Sequence, residues 1–186
     1  MNIFVLDYDP IVAATMYCDK HVPKMVVELY QQLGSAQRRH GATDSMMPLT
    51  SKGTPLKGGY HKHPCTLWCG DSRNNYFWAA LHGITLTEEY TMRYGKKHAC
   101  TDGLHQLYEM YKNIPEGNTT PFAQAMPDEY KKWGDSVAAY RDYYWHDKRE
   151  FAKWQHGRNA PDWWTEREDK ELNIYGRCDD ARYNKI

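Results

Sequence analysis

Nothing in the 186 residues approaches the roughly 18 consecutive apolar positions of a membrane helix. Mean hydropathy is -0.87, so no spanning segment is expected. Met1 to Leu6 is apolar but too short and too poorly flanked for a signal peptide. A soluble protein that stays in the cytoplasm where it is made is the expectation. Cysteine is scarce and odd in number, at Cys18, Cys65, Cys69, Cys100 and Cys178, which argues against a disulfide framework and for a reducing compartment. Charge of one sign is lacking too. Lys plus Arg and Asp plus Glu each number 24, so the whole-molecule field cannot draw in a polyanion, and any nucleic-acid surface must arise from local asymmetry. Also missing are G-x-S-x-G, a Gly-rich phosphate loop, H-E-x-x-H, internal repeats and low-complexity tracts.

What is abundant is the aromatic with a polar handle. Tyr 15 and Trp 7 stand against Phe 4, a composition suited to half-buried and stacking positions. Local charge asymmetry is present as well: residues 41–100 hold seven Lys or Arg and four acids, and residues 162–186 hold five and seven. The middle of the chain is mildly basic and the tail mildly acidic.

The segment Asp19 to Gly41 organises the rest. Val22, Met25, Val26, Leu29, Leu33 and Ala36 fall at the three-and-four spacing that gives a helix one buried face. His21, Lys24, Glu28, Gln31 and Ser35 repeat at the same spacing, a second stripe bearing a base, an amine, a carboxylate and amide groups. Such a stripe is either a chemical face on a rigid support or the solvated side of an amphipathic helix. Asp19 is the expected cap, and Arg38, Arg39 and His40 lie where a helix dipole favours cations, ahead of Gly41. A short helix is expected from Asp9-Pro10 to about Cys18.

Residues 42–63 lack helical period and read as a long loop; residues 63–98 read as one or two helices ending at Gly95, with Gly83 a weak point. Asp102 caps a short helix along Leu104, Leu107, Tyr108 and Tyr111, and residues 113–127 form a Pro-rich connector. Asp135 or Ser136 opens a helix with Val137, Tyr140, Tyr144, Phe151 and the stem of Lys148 on its core face. Its outer sides mix Arg141, Lys148, Arg149 and Lys153 with Tyr143, Trp145 and Trp154, a pattern that phosphate and base contacts require and that a salt-laced surface also produces. Pro161-Asp162-Trp163-Trp164 opens a last helix. The expected fold is all-α: a single compact helical domain with long loops over 1–175 and a loosely held tail over 176–186.

His61, His63, Cys65 and Cys69, with His98 and Cys100, have the ligand types of a zinc site but no standard spacing. Trp68 beside them favours buried thiols acting as small hydrophobes. No metal or cofactor is expected.

Three stretches resemble the pyrimidine-dimer DNA glycosylases of the phage endonuclease V type. Asp19-Lys20-His21 followed by Glu28-Leu29 resembles the family's D-x-H-x6-E-L helix, whose glutamate is its essential carboxylate. Val137 to Trp164, with Arg149, Lys153 and P-D-W-W, is similar to its C-terminal helix, and His63-Pro64-Cys65-x2-Trp68 with Arg93-Tyr94-Gly95 loosely matches its middle. The opening MNIF, the D-K-H-V and P-F-A-Q-A-M-P segments, and H-P-C-x2-W are similar to a phage-encoded set of small proteins that carry N-H-P-C-x2-W. The resemblance implies an all-helical fold and a DNA glycosylase or abasic-site lyase acting on damaged or modified pyrimidines. An amine attacks the sugar C1′ while a carboxylate handles protons.

On that basis the catalytic set is Glu28 as general acid/base, the N-terminal amine with Asn2 at position 2, or Lys24, as nucleophile, and His21 with Asp19 positioning the substrate. The family uses the amine of a small second residue, and the arginines flanking its glutamate are Val27 and Gln31 here. Double-stranded DNA is the implied partner, met by Arg38, Arg39, Lys62, His63, Arg93, Lys96, Arg141, Arg149, Lys153, Trp163 and Trp164. Two other readings stay open: a nucleotide or modified-nucleotide hydrolase on the same fold, and a non-catalytic phage protein binding a host partner through its aromatic face.

Overall fold

The computed structural model describes the backbone of residues 2–183 and the side chains of residues 2–173. Among the described residues seven α-helices form an all-α domain, and no strand occurs there beyond an isolated bridge between Leu49 and Pro55. They are α1 (Pro10–Thr15), α2 (His21–Arg39), α3 (Pro64–Cys69), α4 (Arg73–Tyr94), α5 (Thr101–Glu109), α6 (Ser136–Lys148) and α7 (Asp162–Tyr183). The expected boundary at 175/176 falls inside α7, and the expected tail lies where side chains, and from 184 the backbone, are outside the described residues.

Each helix starts where sequence chemistry allows. Asp9 accepts from the amides of Ile11 and Val12 with Pro10 at the first position of α1, Ser72 accepts from Asn75 in α4, and Asp135 accepts from Ala138 in α6. Two caps differ from expectation. Asp19 does not cap α2, because its carboxylate is drawn to Arg93 and to the amide of Gln155, and the cap residue is Lys20 with no side-chain bond. Asp102 lies within the first turn of α5, paired with Lys97 at 2.5 Å.

The apolar stripe of α2 is the core. Val22, Met25, Val26, Leu29, Leu33 and Ala36 are all essentially inaccessible, and α2 packs chiefly on α4. Gly83 is the reason α4 can come so close. A Cβ there would stand 3.3 Å from Leu104 of α5 and 3.6 Å from Leu29 of α2, so the expected weak point is a place of close approach in a continuous helix.

The chain's opening residues are part of this core. Ile3, Phe4, Val5 and Leu6 are buried, and Asn2 is 8% exposed. The segment has no sheet partner, so side chains serve its carbonyls: Tyr17 donates to Phe4 O at 2.9 Å and Arg141 Nε to Leu6 O at 2.8 Å. Residues 2–6 thus lie among α2, α3 and α6, with Phe4 in ring contact with His21, Tyr140, Tyr143 and Tyr144.

Candidate functional site

The polar stripe of α2 is largely covered. Ser35, 3% exposed, donates to Gly59 O at 2.7 Å and accepts from Gly59 N at 2.8 Å, and Gly59 N also reaches Gln31 O at 3.2 Å. Gly58, with φ +80, sits so tightly that a Cβ would lie 2.3 Å from the Ser35 oxygen. This end of the loop after α2 is therefore bolted down over the stripe. A plain solvated face is not what the helix presents.

Glu28 is 8% exposed on that stripe. Lys24, one turn earlier, places Nζ 3.7 Å from Glu28 Oε1 while 60% of its side chain stays in water. A carboxylate held mostly out of water beside a solvated ammonium can shuttle protons or stabilise a developing cation more strongly than the same pair at the surface.

His21 departs from its expected role. Its ring is 4% exposed, stacked on Phe4 at 5.0 Å and flanked edge-on by Tyr144 and Phe151. The Tyr144 hydroxyl accepts from Cys18 N at 3.0 Å and lies 2.7 Å from His21 Nδ1. That hydroxyl thus ties the ring to the turn that precedes α2. Burial, then the charges of Lys148, Lys24 and Lys20, push its pKa down to about 3. An enclosed neutral ring positions the surrounding helices rather than gripping a substrate. His63 is half-buried and different: its Nδ1 caps α3 by accepting Cys65 N at 3.2 Å, which assigns the hydrogen to Nε2. Its pKa is lowered, first by burial and then by the positive charge of the amino terminus, against the opposing pull of Glu28.

Several expected DNA contacts are structural. Arg93 has a fully buried side chain that donates to Asp19 at 3.1 Å, to Glu89 at 3.0 Å, and to the carbonyls of Tyr17 and Thr15. Arg158 closes the cluster on Glu89. Arg93 therefore cannot meet a phosphate, and Asp19, which also accepts from Gln155 N, cannot position a substrate. Trp164 is 2% exposed among Trp145, Trp154 and Trp163 and presents no face to a base. Trp145, expected outside, is buried as well. Arg38 holds the following loop through Leu56 O, Ala42 O and Asp44, and Arg39 ties α2 to Leu67 O and Asp71.

Other candidates remain reachable. Lys62, Lys96 and Lys153 are exposed and form no ion pair among the described residues. Arg149 lies over Trp145 at 4.5 Å and pairs with Glu171 at 2.5 Å, and Arg141 lies over half-buried Trp163 at 5.6 Å.

Sequence reasoning missed the aromatic cage of Phe4, Tyr144 and Phe151 around His21, and the two lysines that accompany it. Lys20 sits 4.5 Å over Phe151, and Lys148 4.8 Å over Tyr143. For Lys148, burial acts to lower the pKa, but Asp147 and Tyr143 outweigh it and raise the value, so this amine stays protonated. The signal was available in outline, since Phe4 is one of only 4 phenylalanines and sits beside the start. Cys65 and Cys69 are buried, and no three His, Cys, Asp or Glu among the described residues are grouped to hold a metal ion. No known protein-family model, curated protein or solved structure matches the chain.

Proposed function

We propose that the chain is a DNA glycosylase or abasic-site lyase of the phage endonuclease V type, with Glu28 as its proton-handling carboxylate. One observation carries the reading: a carboxylate only 8% exposed on α2, the helix against which the buried opening segment packs through Phe4 and His21. The amine that opens this segment is the proposed nucleophile, with Glu28 as its carboxylate partner. In the proposed reaction the neutral amine attacks C1′ as the N-glycosidic bond breaks, and the base leaves with the bonding pair and takes up a proton. Sugar-ring opening gives an imine, and loss of a C2′ proton then expels the 3′ phosphate. The terminal amine is the preferred nucleophile, because the Lys24 side chain is 60% exposed and its ammonium already faces Glu28.

Glu28→Gln is the test, read as turnover of an ultraviolet-damaged duplex alongside the melting temperature. Loss of turnover by about 10² to 10⁴ with the fold intact is expected. Full activity in that variant would overturn the assignment.

A second reading, hydrolysis of a free or modified nucleotide by the same carboxylate, is favoured by the charge inventory: net charge is zero, and Arg38, Arg39 and Arg93 are committed to internal partners. Salt separates the two. Affinity for duplex that falls steeply with salt supports DNA, and flat dependence with nucleotide turnover supports the hydrolase.

A further inference from the structure

One cavity on the described surface has neither Glu28 nor any residue of α2 in its lining. It opens beside the start of α6, holds about 670 Å³, and has Tyr8, Phe122 and Trp133 among its walls with Lys131 and Lys132 at its edge. Phe122 is fixed from behind by Trp68 at 4.8 Å and Trp78 at 4.9 Å, and Tyr8 stands 6.1 Å from it. Trp133 is the anomaly. Its relative exposure is 105%, and it makes no ring contact among the described residues. An indole in open water costs hydrophobic free energy unless something is meant to cover it. The loop presenting it is not loose: Gln124 donates to Lys132 O at 2.6 Å and accepts from Lys132 N at 2.8 Å, so the two walls are clamped at a set separation.

Tyr8 also belongs to a second, polar hollow of about 400 Å³ lined by Arg141, Arg167 and Lys170 with Asp135 and Glu166. Two guanidiniums line it, Arg141 bonded through Nε to Leu6 O and paired with Asp7, and Arg167 paired with Asp142, each with further N–H groups to offer. Arg141 has its pKa lowered by burial first, and Arg167 acts in the same direction against Asp7 and Asp135. The Trp163 indole N–H on this wall finds no acceptor among the described residues. An aromatic slot and a cationic hollow share the wall at Tyr8.

We infer that this double cleft binds a nucleotide, its base stacked between Trp133 and the Tyr8–Phe122 wall and its phosphate held by Lys170, with the remaining N–H groups of Arg141 and Arg167 beside it. Base stacking on aromatics tolerates any base, and the cations supply the phosphate contact. A free mononucleotide and one nucleotide of a single strand present the same chemistry. The 13 residues of α6 span about 20 Å and separate this cleft from the His21 and Lys148 end, so it is a second site and does not depend on the catalytic reading.

The test is fluorescence anisotropy on the full chain with etheno-adenosine monophosphate and with a short fluorescein-labelled oligodeoxythymidine. Trp133→Ala removes a side chain that packs on nothing, so the fold is kept, and affinity should fall about tenfold or more. Lys170→Ala should weaken the nucleotide while leaving the phosphate-free nucleoside unchanged, and Glu28→Gln should alter neither. Binding of the mononucleotide assigns the cleft to free nucleotides, and binding of the oligomer alone assigns it to single strands. Binding of neither probe, affinity indifferent to Trp133→Ala, or capture only of apolar peptides overturns the inference, and each of these leaves the Glu28 chemistry untouched.

Discussion

Asp19 and Glu28 are both 8% exposed, at or near the same helix, and both have a cation close by, yet their surroundings differ in kind. Around Asp19, Arg93 donates to two carboxylates and two carbonyls with none of its side chain in water, and Arg158 and the amide of Gln155 complete the set. Around Glu28, the Lys24 ammonium stands 3.7 Å away, beyond hydrogen-bond reach, and is 60% solvated. The first arrangement has no degree of freedom left and joins α2, α4 and the 153–158 segment. The second includes a cation that stands mostly in water. Buried charge alone therefore does not mark a site, since Asp19 is as buried as Glu28 and is spent on holding helices together.

The sharpest way to break this contrast is Arg93→Ala. It would leave Asp19 and Glu89 in the interior without their guanidinium, and a loss of about 3 to 5 kcal/mol in denaturant unfolding is expected. A loss under about 1 kcal/mol would mean the cluster is not a structural hub. Glu28→Gln should behave in the opposite manner, with unfolding free energy within about 1 kcal/mol of the parent and turnover down by the factor already given.

Acid should act on the packed side of the molecule before the solvated one. His21 and His82 lie below the usual 6.5 in the fold, chiefly through burial, at about 3 and about 4. The unfolded chain therefore binds protons first as pH falls. Stability they contribute is whole above about 6.5 and is lost as pH drops through the folded values, by several kcal/mol in total at about pH 4. Chemical denaturation across that range measures it, and an NMR titration in which either ring protonates near 6.5 would contradict the assignment. The smallest expected effect is that of Lys24→Ala, under about 0.5 kcal/mol in stability, since the ammonium is mostly solvated. A larger loss would show that the pair is as structural as the Arg93 cluster.

The fold was legible because its signals are local. The three-and-four spacing of Val22 to Ala36, the Asp9-Pro10 start and the Asp135 cap each fix an element without reference to the rest of the chain. Site residues were less legible, because their fate is decided at long range. Asp19 and Arg93 are 74 positions apart, and His21 and Tyr144 123 apart, so nothing in either neighbourhood tells that one pair locks and the other buries a ring. Trp133 was hidden for the converse reason. It stands between Lys132 and Gly134 in a stretch without apolar period, and a single tryptophan there carries no pattern until Tyr8 and Phe122 are brought beside it.

The central claim is that an amine and Glu28 together act on a sugar carbon. Incubating the full chain with a duplex carrying an abasic site, in the presence of borohydride, tests it most directly, because the hydride reduces any imine to a stable covalent link. A trapped protein–DNA complex is predicted, with peptide mapping that places the link at the amino terminus and with a yield that collapses in Glu28→Gln. No complex with the parent chain on either the abasic or an ultraviolet-damaged duplex would contradict the claim.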